Sequence, residues 1–199
     1  MQTRKIFRLI AVTLLLGVAA ACAPYSLVPP AKTEVAGFTV ENDIAWNKIN
    51  QLRLESSAPV GYWTADGPAL NGILFIGGVR SGEPILKLSG TEKDATFVFR
   101  DSMTPVEVVE LWEATLAKLY STSLADAKNI QPGRFAGLDG FSFDLDYVTK
   151  DEVDRRGRGH AAVKDGRLYL IFYSGTRLHH YGLRLPAAER IAQTAKIGS

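Results

Sequence analysis

From Phe141 to Tyr147 every second residue is large and apolar, with Ser142, Asp144 and Asp146 between them. A period of two puts Phe141, Phe143, Leu145 and Tyr147 on one face of a strand and the polar set on the other. "VDRRGRGHAAV" follows, then Asp165-Gly166, then "RLYLIFYS". Asp-Gly suits a two-residue hairpin turn, because both central positions need positive φ. Such a turn sets Val163 opposite Leu168, Ala161 opposite Leu170 and Gly159 opposite Phe172. Pairing Val148 with Asp154 then sets Asp146 against Arg156 and Asp144 against Arg158. Opposite charges facing each other across strands contribute ~0.2–1 kcal/mol per pair. Gly157, Gly159 and Ala161 leave room for the rings of Phe141 and Phe143. The expected unit is a three-stranded antiparallel meander. One face is apolar; the other carries Asp144, Asp146, Arg156, Arg158 and His160 as a charge ladder in water.

Something must cover the apolar face, and "MTPVEVVELWEATLAKLYS" supplies it. Thr104 suits the N-cap, Pro105 the first helical position, and Glu107 closes a capping box. Val108, Leu111, Trp112, Thr115, Leu116 and Leu119 recur at helical spacing and form one stripe. Upstream, "GFTVE", "IAWNKI", "GYWTAD", "LNGILFIGGV", "EPILKL" and "ATFVFR" read as short strands separated by turn residues. The C-terminal "LPAAERIAQTAKI" reads as a second helix with Pro186 near its start. Strands, helix, strands, helix is the order of an α+β sandwich, an antiparallel sheet packed by a long central helix and a C-terminal helix.

The front of the chain is of another kind. Arg4, Lys5 and Arg8 precede an apolar run from Leu9 to Ala21, too short to span a bilayer and built like a signal peptide. The one cysteine, Cys22, follows three alanines. "VAAAC" resembles the lipobox of bacterial lipoproteins. The resemblance implies a diacylglyceryl group on Cys22, cleavage before it, and acylation (palmitate or a similar chain) of the new amino group. Ala23, where Asp would retain such a protein at the inner membrane, implies export to the periplasmic side of the outer membrane. Several acyl chains anchor far more firmly than one, each buried CH₂ adding ~0.8 kcal/mol.

Removal of residues 1–21 takes away three of the 23 basic residues and leaves 20 against 21 acidic ones. A nucleic-acid role suggested by the precursor's pI of about 8.6 thereby loses its basis. No cysteine remains for a disulfide, so the core alone stabilises the fold. Residues 22–34, with Pro24, Pro29 and Pro30, read as a lipidated, extended tether. Residues 35–199 read as one globular domain.

The stretch from "GFSFDLDYV" through "RGRGHAAVKDGRLYLIFYSG" to "LPAAERI" also resembles the end of small secreted domains of the Mog1/PsbP-like fold. "WTADGPALN" at Trp63 to Asn71 resembles a segment of uncharacterised proteobacterial lipoproteins. The fold group is associated with accessory and binding roles, so the resemblance implies a fold and no set of functional residues.

Catalytic and metal chemistry find little support. No Gly-x-Ser-x-Gly elbow occurs, and "GRGHAA" lies inside the hairpin rather than opening a helix, which rejects it as a dinucleotide fingerprint. His179, His180 and Tyr181 are placed in the loop after the last strand, where they pack the final helix rather than ligate a metal. Arginines compete for Asp144 and Asp146. No cofactor and no enzymatic activity are expected. Trp112 belongs to the core stripe; Trp46 and Trp63 lie in short strands near turns, where an aromatic is more commonly core than part of a partner surface. Tyr169, Ile171 and Tyr173 share the face of the charge ladder. An apolar patch rimmed by Arg156, Arg158 and His160 is therefore the expected interaction surface, centred on Tyr169 and Tyr173. A domain that covers those residues with its own elements would remove it. The expected function is a non-catalytic accessory module that binds an envelope protein. The alternative is a carrier of a lipid or small hydrophobic ligand in a space of ~300 Å³ or more between the long helix and the sheet.

Overall fold

The computed structural model describes residues 24–92, 97–122 and 124–198. Cys22 and the signal segment lie outside the described residues. Eight strands come first, all short but β7: β1 (Tyr25–Val28), β2 (Ala31–Val35), β3 (Phe38–Asn42), β4 (Trp46–Ile49), β5 (Leu54–Glu55), β6 (Val60–Thr64), β7 (Asn71–Arg80) and β8 (Lys87–Leu88). Helix α1 (Pro105–Tyr120) is followed by four long strands, β9 (Ala125–Phe135), β10 (Leu138–Val148), β11 (Asp154–Lys164) and β12 (Arg167–Thr176). Helix α2 (His180–Thr194) and β13 (Lys196–Ile197) complete the chain.

The alternating sequence forms the meander in the expected register. Asp165 and Gly166 both have positive φ (49° and 70°), as a two-residue turn with the strands' own twist requires. Val163 pairs with Leu168, Gly159 with Phe172, Asp146 with Arg156 and Asp144 with Arg158. The meander supplies three strands of an eight-stranded antiparallel sheet ordered β1-β4-β6-β7-β12-β11-β10-β9. Alternate residues of β12 enter two cores. Leu168, Leu170 and Phe172 pack with α1, whereas Ile171 and Tyr173 pack with α2 and β3. The two helices thus cover opposite faces of the sheet.

Helix α1 starts as its sequence demands. Thr104 Oγ1 accepts from the Glu107 amide at 3.3 Å, and Glu107 Oε2 accepts from the Thr104 amide at 2.7 Å. Val108, Leu111, Trp112, Thr115 and Leu116 are buried. Trp46 and Trp63 are also core residues, at 0% and 1% exposure.

Several elements differ from expectation. Residues 25–35 are not an extended tether: β1 pairs with β4 from Tyr25 to Val28, and β2 pairs with β3. The prolines flank these strands rather than interrupt them, so each backbone ladder stays intact. Only Lys87–Leu88 of "EPILKL" is a strand. "ATFVFR" lies partly outside the described residues; its described part is joined to the turn after β7 by two bonds, Gly82 N–H to Phe99 O and Phe99 N–H to Glu83 O. Helix α2 begins at His180 rather than Leu185, takes Pro186 inside it and stops at Thr194, leaving Lys196–Ile197 to pair with β3. Strand β9 has no counterpart in the sequence reading. It is an edge strand, where Pro132 can sit without removing a needed donor, and it carries a register shift opposite Ser142/Asp144.

Candidate functional site

The charge ladder lies where its register places it, but it does not face open water. Asp146 binds Arg156 Nε at 2.7 Å and also accepts from Lys128. Asp144 accepts from Arg158 at 3.0 Å and from Asn129 at 2.7 Å. Glu189 of α2 reaches down to His160 Nε2 at 2.9 Å and to Arg158 at 3.5 Å. Burial alone would raise the Glu189 carboxyl, but the bond to His160 and the charges of His160 and Arg158 hold it below the usual value. The Arg156 hydrogen bonds, with Lys128 helping, draw Asp146 down to about 2 against the opposing effect of burial. Arg156, Arg158 and His160 are therefore half-buried struts between the sheet and α2.

The interaction patch expected at Tyr169 and Tyr173 is covered for the same reason. Tyr173 is 2% exposed, and its Oη donates to the carbonyls of His180 (2.7 Å) and Tyr181 (3.0 Å). Its ring stacks on Tyr181 at 5.7 Å. Ile171 is 2% exposed, and Tyr169 packs edge-on against Phe38 of β3 at 5.9 Å. The early start of α2 brings Tyr181 over this face. His179 and His180 do pack this end of the molecule: His180 Nδ1 lies 2.9 Å from Thr176 Oγ1, and the two rings meet edge to face.

"WTADGPALN" turns out to be a brace. Asn71 is fully buried; its Oδ1 accepts from the Ala65 amide and its Nδ2 donates to Asp66. Asp66 in turn takes both Arg184 Nε (2.8 Å) and Nη2 (2.7 Å), tying the β6–β7 loop to α2. Those bonds hold the Asp66 carboxyl at about 2, despite some desolvation.

The other face of the sheet holds the more distinctive arrangement. Between α1 and the sheet lies a cleft of about 160 Å³, walled by Leu54, Leu74, Leu86, Leu88, Leu116 and Leu119. Tyr62, Tyr120 and Ser174 also line it. A more open depression of about 340 Å³ adjoins it, shares Leu119 and Tyr120, and is bordered by Arg155 and Lys150. Arg155 is only 4% exposed. Its Nη1 donates to the Ala69 carbonyl (2.7 Å), its Nε to Tyr147 Oη (3.1 Å) and its Nη2 to Ser174 Oγ (3.4 Å). Tyr147 Oη donates onward to Ser174 Oγ at 3.0 Å. Burial pushes the Tyr62 and Tyr120 phenols far up, so both stay neutral. Sequence reasoning passed over this cluster. The signal was there: the register puts Arg155 in line with Gly157, Gly159 and Ala161, a charge in an apolar row.

No family model matches the chain, and no curated protein matches it. Among solved structures it is similar to cyanobacterial PsbP (CyanoP) from Synechocystis sp. PCC 6803, with a TM-score of 0.50 and 13% identity over 89% of this chain and 94% of that one. It is also similar to LpqN, described as involved in cell envelope biogenesis of Mycobacterium tuberculosis, with a TM-score of 0.40 and 12% identity over 89% and 93% of the two chains. The chain has an α+β, PsbP/Mog1-like fold.

Proposed function

We propose that this protein is a non-catalytic module of the bacterial envelope, anchored through Cys22 to the periplasmic side of the outer membrane, which binds a small apolar ligand between α1 and the sheet. The leucine-walled cleft carries the reading, because it is an unfilled apolar space in a core whose opposite half is closed by α2. At about 160 Å³ it is smaller than a carrier enclosing a whole lipid needs. The ligand is accordingly a short chain, or one partly exposed along the flank of α1. Protein binding at Tyr169 and Tyr173 is the weaker reading, since α2 and β3 occupy that face.

Leu119 is half-buried at the rim, so a larger ring there fills the cleft without entering the tightest packing. Leu119→Trp is expected to abolish binding of Nile red or decanol while leaving the thermal midpoint within a few degrees of the parent. Undiminished binding would place the ligand elsewhere. The anchor has its own test. Cys22→Ser should move the protein from the membrane fraction to the soluble periplasmic fraction; continued membrane association would remove the lipid anchor. Because β1 pairs from Tyr25 onward, only Ala23 and Pro24 separate the acceptor cysteine from the sheet. An extended chain covers at most ~3.6 Å per residue, so the anchored domain rests close to the bilayer surface.

A further inference from the structure

The three arginines of β11 are treated differently by the fold. Arg156 and Arg158, on the α2 face, each receive a carboxylate at 2.7–3.0 Å. Arg155, on the α1 face and more deeply buried than either, receives none among the described residues. Removing a guanidinium from water costs several kcal/mol, and an anion normally offsets that cost. Here the partners are a carbonyl, a tyrosine hydroxyl and a serine hydroxyl. Neither Tyr62 nor Tyr120 can supply a phenolate, because burial raises both phenols. Asp151, whose carboxyl the charge of Arg155 helps to lower, is fully exposed and held chiefly by Thr149. Three of the five guanidinium N–H groups are used within the described residues. The remaining donors belong to a rigid planar fork suited to a two-oxygen anion.

The position of this cation matters as much as its lack of a counterion. Arg155 and Lys150, with the exposed Asp151, border the open depression, and Leu119 and Tyr120 line both it and the leucine-walled cleft. A charged end and an apolar space are thus adjoining compartments of one groove. We infer that the ligand is an amphiphile with an anionic headgroup, a carboxylate or a phosphate, whose head is held by Arg155 and whose chain enters the cleft beneath α1. This rests on the cleft reading above and adds the ligand's chemistry to it.

The test uses three probes of equal chain length, decanoate, decyl phosphate and decanol, titrated into the full-length Cys22→Ser chain at pH 7.5 and followed by calorimetry. One or both anionic probes should bind roughly tenfold tighter than decanol or better, the ratio that one charge-assisted contact supports. Which of the two binds better identifies the headgroup. Arg155→Met should bring that ratio close to one while leaving decanol affinity intact. Arg155→Met takes a donor from the Ala69 carbonyl and from the Tyr147 and Ser174 hydroxyls, so its thermal midpoint is measured alongside and the ratio is read below that midpoint. In the unsubstituted site, the ¹⁵N resonance of Arg155 Nε should shift with the anionic probe and stay in place with decanol; this reading does not depend on how the variant folds. Equal affinity for all three probes overturns the headgroup and leaves the cleft. An anion preference that survives Arg155→Met, or an unmoved Nε resonance, overturns the role of Arg155. Failure of every probe to bind overturns both readings.

Discussion

Gly159→Ala is expected to destabilise the domain by about 1–3 kcal/mol, although removing a glycine from the middle of a strand ordinarily gains ~0.5–1 kcal/mol. The reversal of sign comes from Phe143, which pairs directly across the strands with Gly159. A Cβ on Gly159 would stand 2.2 Å from Phe143 Cζ and 2.3 Å from Cε1, inside any tolerable contact. The ring has nowhere to go. It is fully buried and lies nearly parallel to Phe172 at 6.2 Å, and Phe172 meets Trp112 of α1 edge-on at 5.1 Å. Any shift of Phe143 is therefore passed through two aromatic contacts to the helix. A double-mutant cycle tests this directly. Phe143→Leu alone should be destabilising through lost packing, whereas Gly159→Ala combined with Phe143→Leu should cost at least ~1 kcal/mol less than the sum of the single changes. Urea midpoints measured on the four proteins decide it. Additive costs would mean that backbone strain, and not the ring, makes glycine necessary there.

This pair also shows how far the sequence could be read. Strict alternation, one Asp-Gly turn and opposing charges were sufficient for the register of β10, β11 and β12, because a slip of one residue would turn every phenylalanine to the wrong face. The identity of the close neighbours was less legible. The space left by Gly159 is filled by Phe143 as anticipated, but that beside Gly157 is filled by Phe172 from the following strand. Alternation stops in β9, where Asn129 takes positive φ and Pro132 follows, so an eleven-residue edge strand left no periodic trace. Helix α2 was found only in its second half. His179 at its N-cap makes no side-chain capping bond, and Pro186 lies within it, so the usual start signals are missing.

The site was harder to read for a related reason. A period of two assigns side chains to faces but says nothing about what lies over a face. Periodicity puts Tyr169 and Tyr173 on the correct side, but the helix that covers them begins at His180, ahead of any start signal in the sequence. Arg155 was likewise on a known face, opposite Tyr147. Its burial, its partners and the adjoining cleft arise from α1, Ala69 and Ser174, which are far apart in sequence. The charge in an apolar row was visible; the compartment it borders was not.

The two faces of the sheet should consequently respond differently to acid. The α2 side is held by carboxylates with depressed values: Asp66 at about 2 through Arg184, Asp146 at about 2 through Arg156, and Glu189 lowered by His160 and Arg158 after burial is overcome. For such groups the stabilisation is fully present above the unfolded value of 3.8 for aspartate and is lost as pH falls through the folded value. A shift of that size corresponds to ~2.5 kcal/mol at most per aspartate, and roughly 1–2 kcal/mol after allowance for the partly solvated arginines. The α1 side is held mainly by apolar contacts around the cleft, with the capping pair Thr104–Glu107 exposed at one end. Between pH 4 and pH 2 the amides of α2 should therefore lose hydrogen-exchange protection before those of α1, after correction for intrinsic rates. Asp66→Asn removes the charge that ties Arg184 of α2 to the β6–β7 loop, so it should reduce α2 protection already at pH 6 and flatten its dependence below pH 4. Loss of protection in both helices together would mean that the sheet and its two covers unfold as one unit. An unchanged slope in Asp66→Asn would remove that ion pair as the origin of the acid response.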